Sequence, residues 1–263
     1  MFPLLLAAVF GAGIGLALGL LGAGGSILAV PALVYGVGLP WETAVPTSLV
    51  VVALSSLGAV LPRERRTAVR WPVALVFGAA GVPAAFGGTA LGKLLPQRWL
   101  LVAFAALMIV VAVRMLRGGE SQGGACRTVQ GAINWRTCLP KSVFTGASVG
   151  VLTGLFGVGG GFVVVPALTL LLGLGAQQAI ATSLVVVLIN SVAGFTAHAG
   201  TAGDIDYRIL LLFAGAALVV SVVAARWSAK LDASTVRRWF AVVVLAVAVF
   251  VATAAVVNPS AVG

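Results

Sequence analysis

The chain has 263 residues, of which 61% are hydrophobic and 8% charged, with 16 Lys and Arg against 6 Asp and Glu. That leaves too few polar groups to cover a soluble globule of this size, so the chain reads as an all-α integral membrane protein. The net charge of +10 is carried by short basic clusters between long apolar segments. This is the pattern of membrane-protein loops, and it speaks against a nucleic-acid-binding face.

The first apolar stretch, residues 4–21, has no Lys or Arg ahead of it and so lacks the basic start of a secretory signal. It is read as a retained membrane segment. Its end runs into Gly19–Ser26, GLLGAGGS, and the same turn returns as Gly154–Gly161, GLFGVGGG. A shift of 135 positions aligns residues 19–59 with 154–194 without a gap and with 19 of 41 positions identical, where composition alone gives roughly five. The chain therefore holds an internal repeat.

Five apolar segments follow one another in each half: 4–21, 27–39, 44–61, 71–91 and 99–116, then 143–156, 162–174, 179–197, 207–227 and 236–257. The third, fourth and fifth of each set approach or exceed the roughly 20 residues of a spanning helix. The second is different. Residues 27–39 make a helix of only about 20 Å, short of a hydrocarbon core of about 30 Å, and carry Pro31, matched by Pro166. Short Gly- and Pro-interrupted segments at corresponding places in two halves point to a transporter site built from broken helices. The other reading is a packing hairpin in which the glycines only allow close approach.

The third segment is followed by Arg63, Arg65, Arg66 and Arg70, whereas the equivalent loop of the second half carries Asp204 and Asp206 with Arg208. Under the positive-inside rule the two halves then insert upside down relative to each other, with both termini outside and residues 118–141 cytoplasmic. That arrangement puts 13 of the 16 Lys and Arg inside, leaving Lys93, Arg98 and Arg208 outside. The expected architecture is two inverted-topology repeats, residues 1–117 and 142–263, joined by the linker 118–141. Together they supply about 8 to 10 membrane segments. Five crossings per half, or three plus a re-entrant hairpin, both satisfy it. Cys126 and Cys138, separated by eleven residues without a neighbouring His, do not have zinc spacing and are read as incidental thiols.

GLLGAGGSILAVPAL and GLFGVGGGFVVVPAL, each followed by an A-x-x-TSL element (residues 44–49 and 179–184), resemble the TauE/SafE sulfite exporter family. The resemblance covers both halves. It implies movement of sulfite, sulfonates or related sulfur-containing organic anions across a bacterial inner membrane, by a protein of about eight membrane segments.

The residues themselves point to an anion site. Gly22, Gly24, Gly25 and Ser26, with Gly157, Gly159, Gly160 and Gly161, leave backbone N–H groups unshielded where a helix begins and its dipole is positive. No apolar segment carries Lys or Arg in its middle, so recognition falls to neutral donors. Thr47, Ser48, Thr182 and Ser183 occupy matching positions, and either line the site or bond to their own helix. Asn190, opposite Ser55 in the repeat, is either interhelical glue or a substrate ligand.

Glu42, where the second half has Gln177, carries a proton if buried. At an interface, the favoured reading, it caps a helix beginning at Thr43. His198 is read as a surface residue. Neither glycine turn completes G-x-G-x-x-G, and no nucleophile–base pair or acidic pair lies in the apolar segments, so nucleotide binding and intramembrane catalysis are disfavoured. A carrier for a small anion, without cofactor or metal, is the expected function; an anion channel or a transporter of another small solute is the alternative. Proton or ion coupling and self-association are compatible with it.

Overall fold

A computed structural model describes residues 2–22, 26, 28–92, 94, 135–156, 161–198 and 207–228, with scattered helical positions between 103 and 116 and between 235 and 249. The first half gives α1 (Phe2–Leu21), the short α2 (Ala29–Pro31) continued by a π-type stretch Ala32–Val37, then α3 (Trp41–Val60), α4 (Arg63–Ala68) and α5 (Trp71–Gly92). The second gives α6 (Trp135–Phe156), the short α7 (Gly161–Pro166) continued by a π-type stretch Ala167–Leu171, then α8 (Ala176–His198) and α9 (Tyr207–Ser228). The fifth apolar segment of each half falls mostly outside the described residues.

Among the described residues, four stretches are long and apolar enough to cross a bilayer: Thr43–Val60, Trp71–Gly92, Gln177–Thr196 and Leu210–Trp227, with a shorter apolar run Leu6–Leu20 in α1. These are the third and fourth segments of each half. Their outward faces are greasy. On α9, Leu211, Leu212, Val219 and Val223 are all exposed, a surface suited to lipid and not to water. Tyr207 and Trp227, both exposed, stand at opposite ends of α9, about 30 Å apart along a helix, which matches the two interfaces of a hydrocarbon core.

The two short segments end alike. Gly38 (φ +80°) and Gly173 (φ +70°) both take the left-handed conformation that favours glycine. The N–H of Leu39 then donates to the Leu33 carbonyl, and that of Leu174 to the Leu168 carbonyl, each at 3.0 Å. Such a bond closes a helix end on its own carbonyls. The next helix opens at once, with the Pro40 carbonyl accepting from Ala44 N–H and the Gly175 carbonyl from Ala179 N–H, both at 2.8 Å.

Glycines weld the long helices together. On α1, Gly11, Gly15 and Gly19 lie one turn apart, and a Cβ on each would run into the main chain of Phe213, Ala217 and Ser221 on α9. On α6, Gly146, Gly150 and Gly154 stand in the same relation to Phe77, Gly81 and Ala85 on α5. Numbers rise together along both pairs, so each pair is parallel. Small residues every fourth position let backbones approach closely where no hydrophobic drive separates helix from lipid. Between these pairs, α3 packs on α8 and α9, and α5 on α8. The Ser221 hydroxyl stitches α9 to α3 by donating to the Ser55 carbonyl at 3.0 Å.

Helix α6 starts at Trp135, ahead of the apolar run at 143, because a helix does not stop where hydrocarbon does. Two expectations are corrected. Helix α3 starts at Trp41, and its N-cap Pro40 supplies no side-chain bond, so Glu42 lies in the first turn and does not cap a helix starting at Thr43. Cys138 is not an incidental thiol: it is disulfide-bonded, and the sequence holds one other cysteine, Cys126, which lies outside the described residues.

Candidate functional site

Gly22 ends α1 with φ +75°, and a Cβ there would stand 2.7 Å from Ile180 Cγ2 of α8. Backbone conformation and crowding thus both require glycine. Ile180 is two residues ahead of Thr182, so the first glycine turn of one half abuts the Thr-Ser element of the other. Ser26 is fully buried at this turn, and Gly161 is buried where α7 opens. Gly24, Gly25, Gly157, Gly159 and Gly160 lie outside the described residues.

A loop helix closes over the same place. α4 folds back so that the Arg70 N–H donates to Thr182 Oγ1 at 3.0 Å, while Arg65 Nη2 donates to the Gly19 carbonyl at 3.2 Å. Arg65 is 7% exposed and is the one buried charged side chain among the described residues. Loss of hydration lowers its pKa to about 10, which leaves it charged at neutral pH.

Three hydroxyls of the Thr-Ser pairs are turned inward on their own helices, while that of Thr182 accepts from Arg70 N–H. Thr47 donates to the Thr43 carbonyl at 2.6 Å, Ser48 to Val45 at 2.7 Å and Ser183 to Ile180 at 2.8 Å. Their protons are spent, and they offer only lone pairs. Ser55 likewise donates to Val51 at 2.7 Å.

Asn190 is the opposite case. It is fully buried, and among the described residues neither its Nδ2 nor its Oδ1 has a hydrogen-bond partner. The hydroxyls of Ser191 beside it and of Ser56 on α3 are buried and without a partner in the same sense. Ser56 and Ser191 are equivalent under the 135-residue shift. α3 and α8, which pack on each other, therefore carry between them two amide donors, one amide oxygen and two hydroxyls that are buried and have no hydrogen-bond partner among the described residues. Leaving such a group unmet costs about 1–3 kcal/mol each, more than a fold retains without reason.

Asn190 was legible in the sequence; Ser56 and Ser191 were missed, although their identity in the repeat alignment was the available signal. Glu42 and His198 are placed by backbone alone, in the first turn of α3 and at the end of α8. Asp204 and Asp206 lie outside the described residues.

Known proteins agree with a membrane role over most of the chain. Residues 6–251 match the family model for the sulfite exporter TauE/SafE. A probable membrane transporter protein of Xylella fastidiosa (strain Temecula1) is 33% identical over 248 residues, covering 90% of each chain. The probable membrane transporter protein YdhB of Bacillus subtilis is 26% identical over 198 residues, 75% of this chain and 79% of its own. One from Haemophilus influenzae is 24% identical over 94% of this chain and 97% of its own. No solved structure matches. With a doubled glycine turn, paired short helices and a lipid-facing exterior carried through a match of this extent, the chain belongs to the sulfite exporter TauE/SafE family of membrane transporters.

Proposed function

We propose that the protein is a secondary transporter for small sulfur-containing anions such as sulfite, thiosulfate and sulfonates. The observation that carries this reading is the buried amide of Asn190, unmet together with Ser56 and Ser191, in the interior of a membrane protein. Neutral donors in a dry interior bind an oxyanion and release it again, whereas a fixed cation at mid-membrane would hold it. The glycine turns add backbone N–H groups, and the Thr-Ser pairs shape the helix starts beside them. The two halves act as inverted repeats in a bacterial inner membrane, and substrate passes between them.

Purified protein in liposomes tests this with labelled sulfite, thiosulfate and methanesulfonate. Saturable uptake that is accelerated by unlabelled anion on the opposite side is expected of a carrier. Flux linear in concentration, without counterflow, would mark a channel instead.

The basic loops put residues 118–141 in the cytoplasm and both termini outside. The disulfide of Cys138 favours a second reading, the same fold with that end facing an oxidising compartment. Single-cysteine variants, made after replacing Cys126 and Cys138, separate the two. An impermeant reagent added outside labels Thr201→Cys and spares Gly119→Cys in the first arrangement, and does the reverse in the second.

A further inference from the structure

A buried hydroxyl suits either kind of partner, because it rotates to donate or to accept, whereas an amide carries fixed donors on one atom and an acceptor on the other. Asn190 is fully buried, and both ends of its amide are unmet among the described residues. Turning the amide over exchanges the ends and leaves the same inventory, a nitrogen that offers protons and an oxygen that needs one. A substrate made only of acceptor oxygens satisfies the nitrogen and leaves the oxygen bare. The other half has no such group at the matching place: Ser55, which stands where the repeat puts Asn190, gives its proton to the Val51 carbonyl. Its surroundings differ too. Gly15 meets Ala217 as Gly150 meets Gly81, so the position that is glycine beside Asn190 is alanine in the corresponding helix pair.

We propose that Asn190 is a specificity-determining residue that selects sulfonates carrying a hydroxyl close to the anionic group. This rests on the transport reading above. Nδ2 donates to a sulfonate oxygen while Oδ1 takes the hydroxyl proton, so one molecule meets both ends of the amide. Because Oδ1 and Nδ2 branch from one carbon, the hydroxyl and a sulfonate oxygen have to lie side by side, as they do when two carbons separate hydroxyl from sulfur. Ser56 and Ser191 demand no such match, since their hydroxyls turn to suit what reaches them. Gly81 keeps the amide accessible: a Cβ there would crowd both Oδ1 and Nδ2. A substrate analogue with methyl in place of the hydroxyl loses a hydrogen bond and leaves Oδ1 unmet, and sites that bond a substrate hydroxyl reject such analogues strongly. An apolar wall in the same place favours the methyl analogue, which costs less to dehydrate.

The test compares labelled 2-hydroxyethanesulfonate with labelled propane-1-sulfonate, monoanions of equal heavy-atom count in which a hydroxyl replaces a methyl. Half-saturation is measured in liposomes holding wild type, Asn190→Leu or Asn190→Ser, with sulfite uptake by wild type followed alongside. Wild type is expected to half-saturate at an about tenfold lower concentration of the hydroxyl compound. Asn190→Leu reverses the order. Asn190→Ser, whose hydroxyl bonds to its own helix as that of Ser55 does, brings the two constants within about twofold and carries the comparison if the leucine variant does not fold. Equal constants in wild type, a wild-type preference that persists in either variant, or uptake of sulfite without either sulfonate overturns the assignment and leaves transport standing. Wild-type liposomes that carry none of the three anions overturn the transport reading, and the assignment with it.

Discussion

Gly81 of α5 lies against the amide of Asn190 of α8: a Cβ on Gly81 would stand 2.8 Å from Oδ1 and 3.2 Å from Nδ2. A neighbour without a side chain leaves the amide room and gives it nothing to bond. That relationship separates the two roles open to a buried asparagine. If Asn190 waits for substrate, Asn190→Leu removes an unmet polar group, so the unliganded protein should melt at an equal or higher temperature. Substrate affinity should meanwhile fall by about 1.5–3 kcal/mol, the worth of a hydrogen bond to a charged group. Thermal shift with and without methanesulfonate reads both. A fall in unliganded stability would make the amide interhelical glue.

The hydroxyls divide in the same manner. Ser56→Ala and Ser191→Ala should each weaken anion binding by about 0.5–1.5 kcal/mol, since both protons are uncommitted among the described residues. Ser48→Ala and Ser183→Ala should do less, because those protons are held by Val45 and Ile180. Calorimetric titration of the four variants checks the ranking, and the reverse order would move the site towards the Thr-Ser pairs.

Much of this was visible in the sequence where composition and chain chemistry act locally. The runs that became α3, α5, α8 and α9 are marked by apolar length, and Pro31, Pro166, Gly38 and Gly173 mark short helices that stop early. The start of α6 was not visible, since Arg136, Pro140 and Lys141 look like linker while the backbone is already helical. Arg65 was hidden for a different reason. In a cluster with Arg63 and Arg66 it looks solvated, and only the fold of α4 against α1 and α8 takes it out of water. Nor does a sequence say whether an asparagine meets a partner, because that depends on what the facing helix lacks, here a side chain on Gly81.

The titration of Arg65 sets a pH expectation with a definite sign. Burial lowers its folded-state pKa to about 10, below the ordinary guanidinium value, so only between those two values does the unfolded chain bind more protons than the folded one. Stability from this group therefore rises with pH across that window and is flat below it. The melting-temperature difference between wild type and Arg65→Gln should be constant from pH 6 to 9 and shift in favour of wild type above about pH 10. Sulfonate affinity should be equally flat over pH 6 to 9, because Asn190, Ser56 and Ser191 do not titrate. A steep change there would bring in Glu42 or His198.

The glycine stripes predict a different failure. Gly150→Leu, or Gly15→Leu, inserts a side chain where the main chain of Gly81 or Ala217 already stands. Each should cost at least about 1–3 kcal/mol in overpacking, seen as a lower melting temperature in detergent and loss of monodisperse protein. Gly13→Leu, two residues from the contacts at Gly11 and Gly15 and with open space around it, should be tolerated.

Those same stripes decide what can move as a piece. α1 is fastened to α9 and α6 to α5, so each tightly joined pair takes one helix from either half of the sequence. In the proposed carrier, the parts that move as units therefore each draw on both halves of the sequence, and rocking that opens one side and then the other runs between the crossed pairs, along α3 and α8. The hinge then coincides with the helices that carry Ser56, Asn190 and Ser191, and a ligand seated there would feel each swing directly.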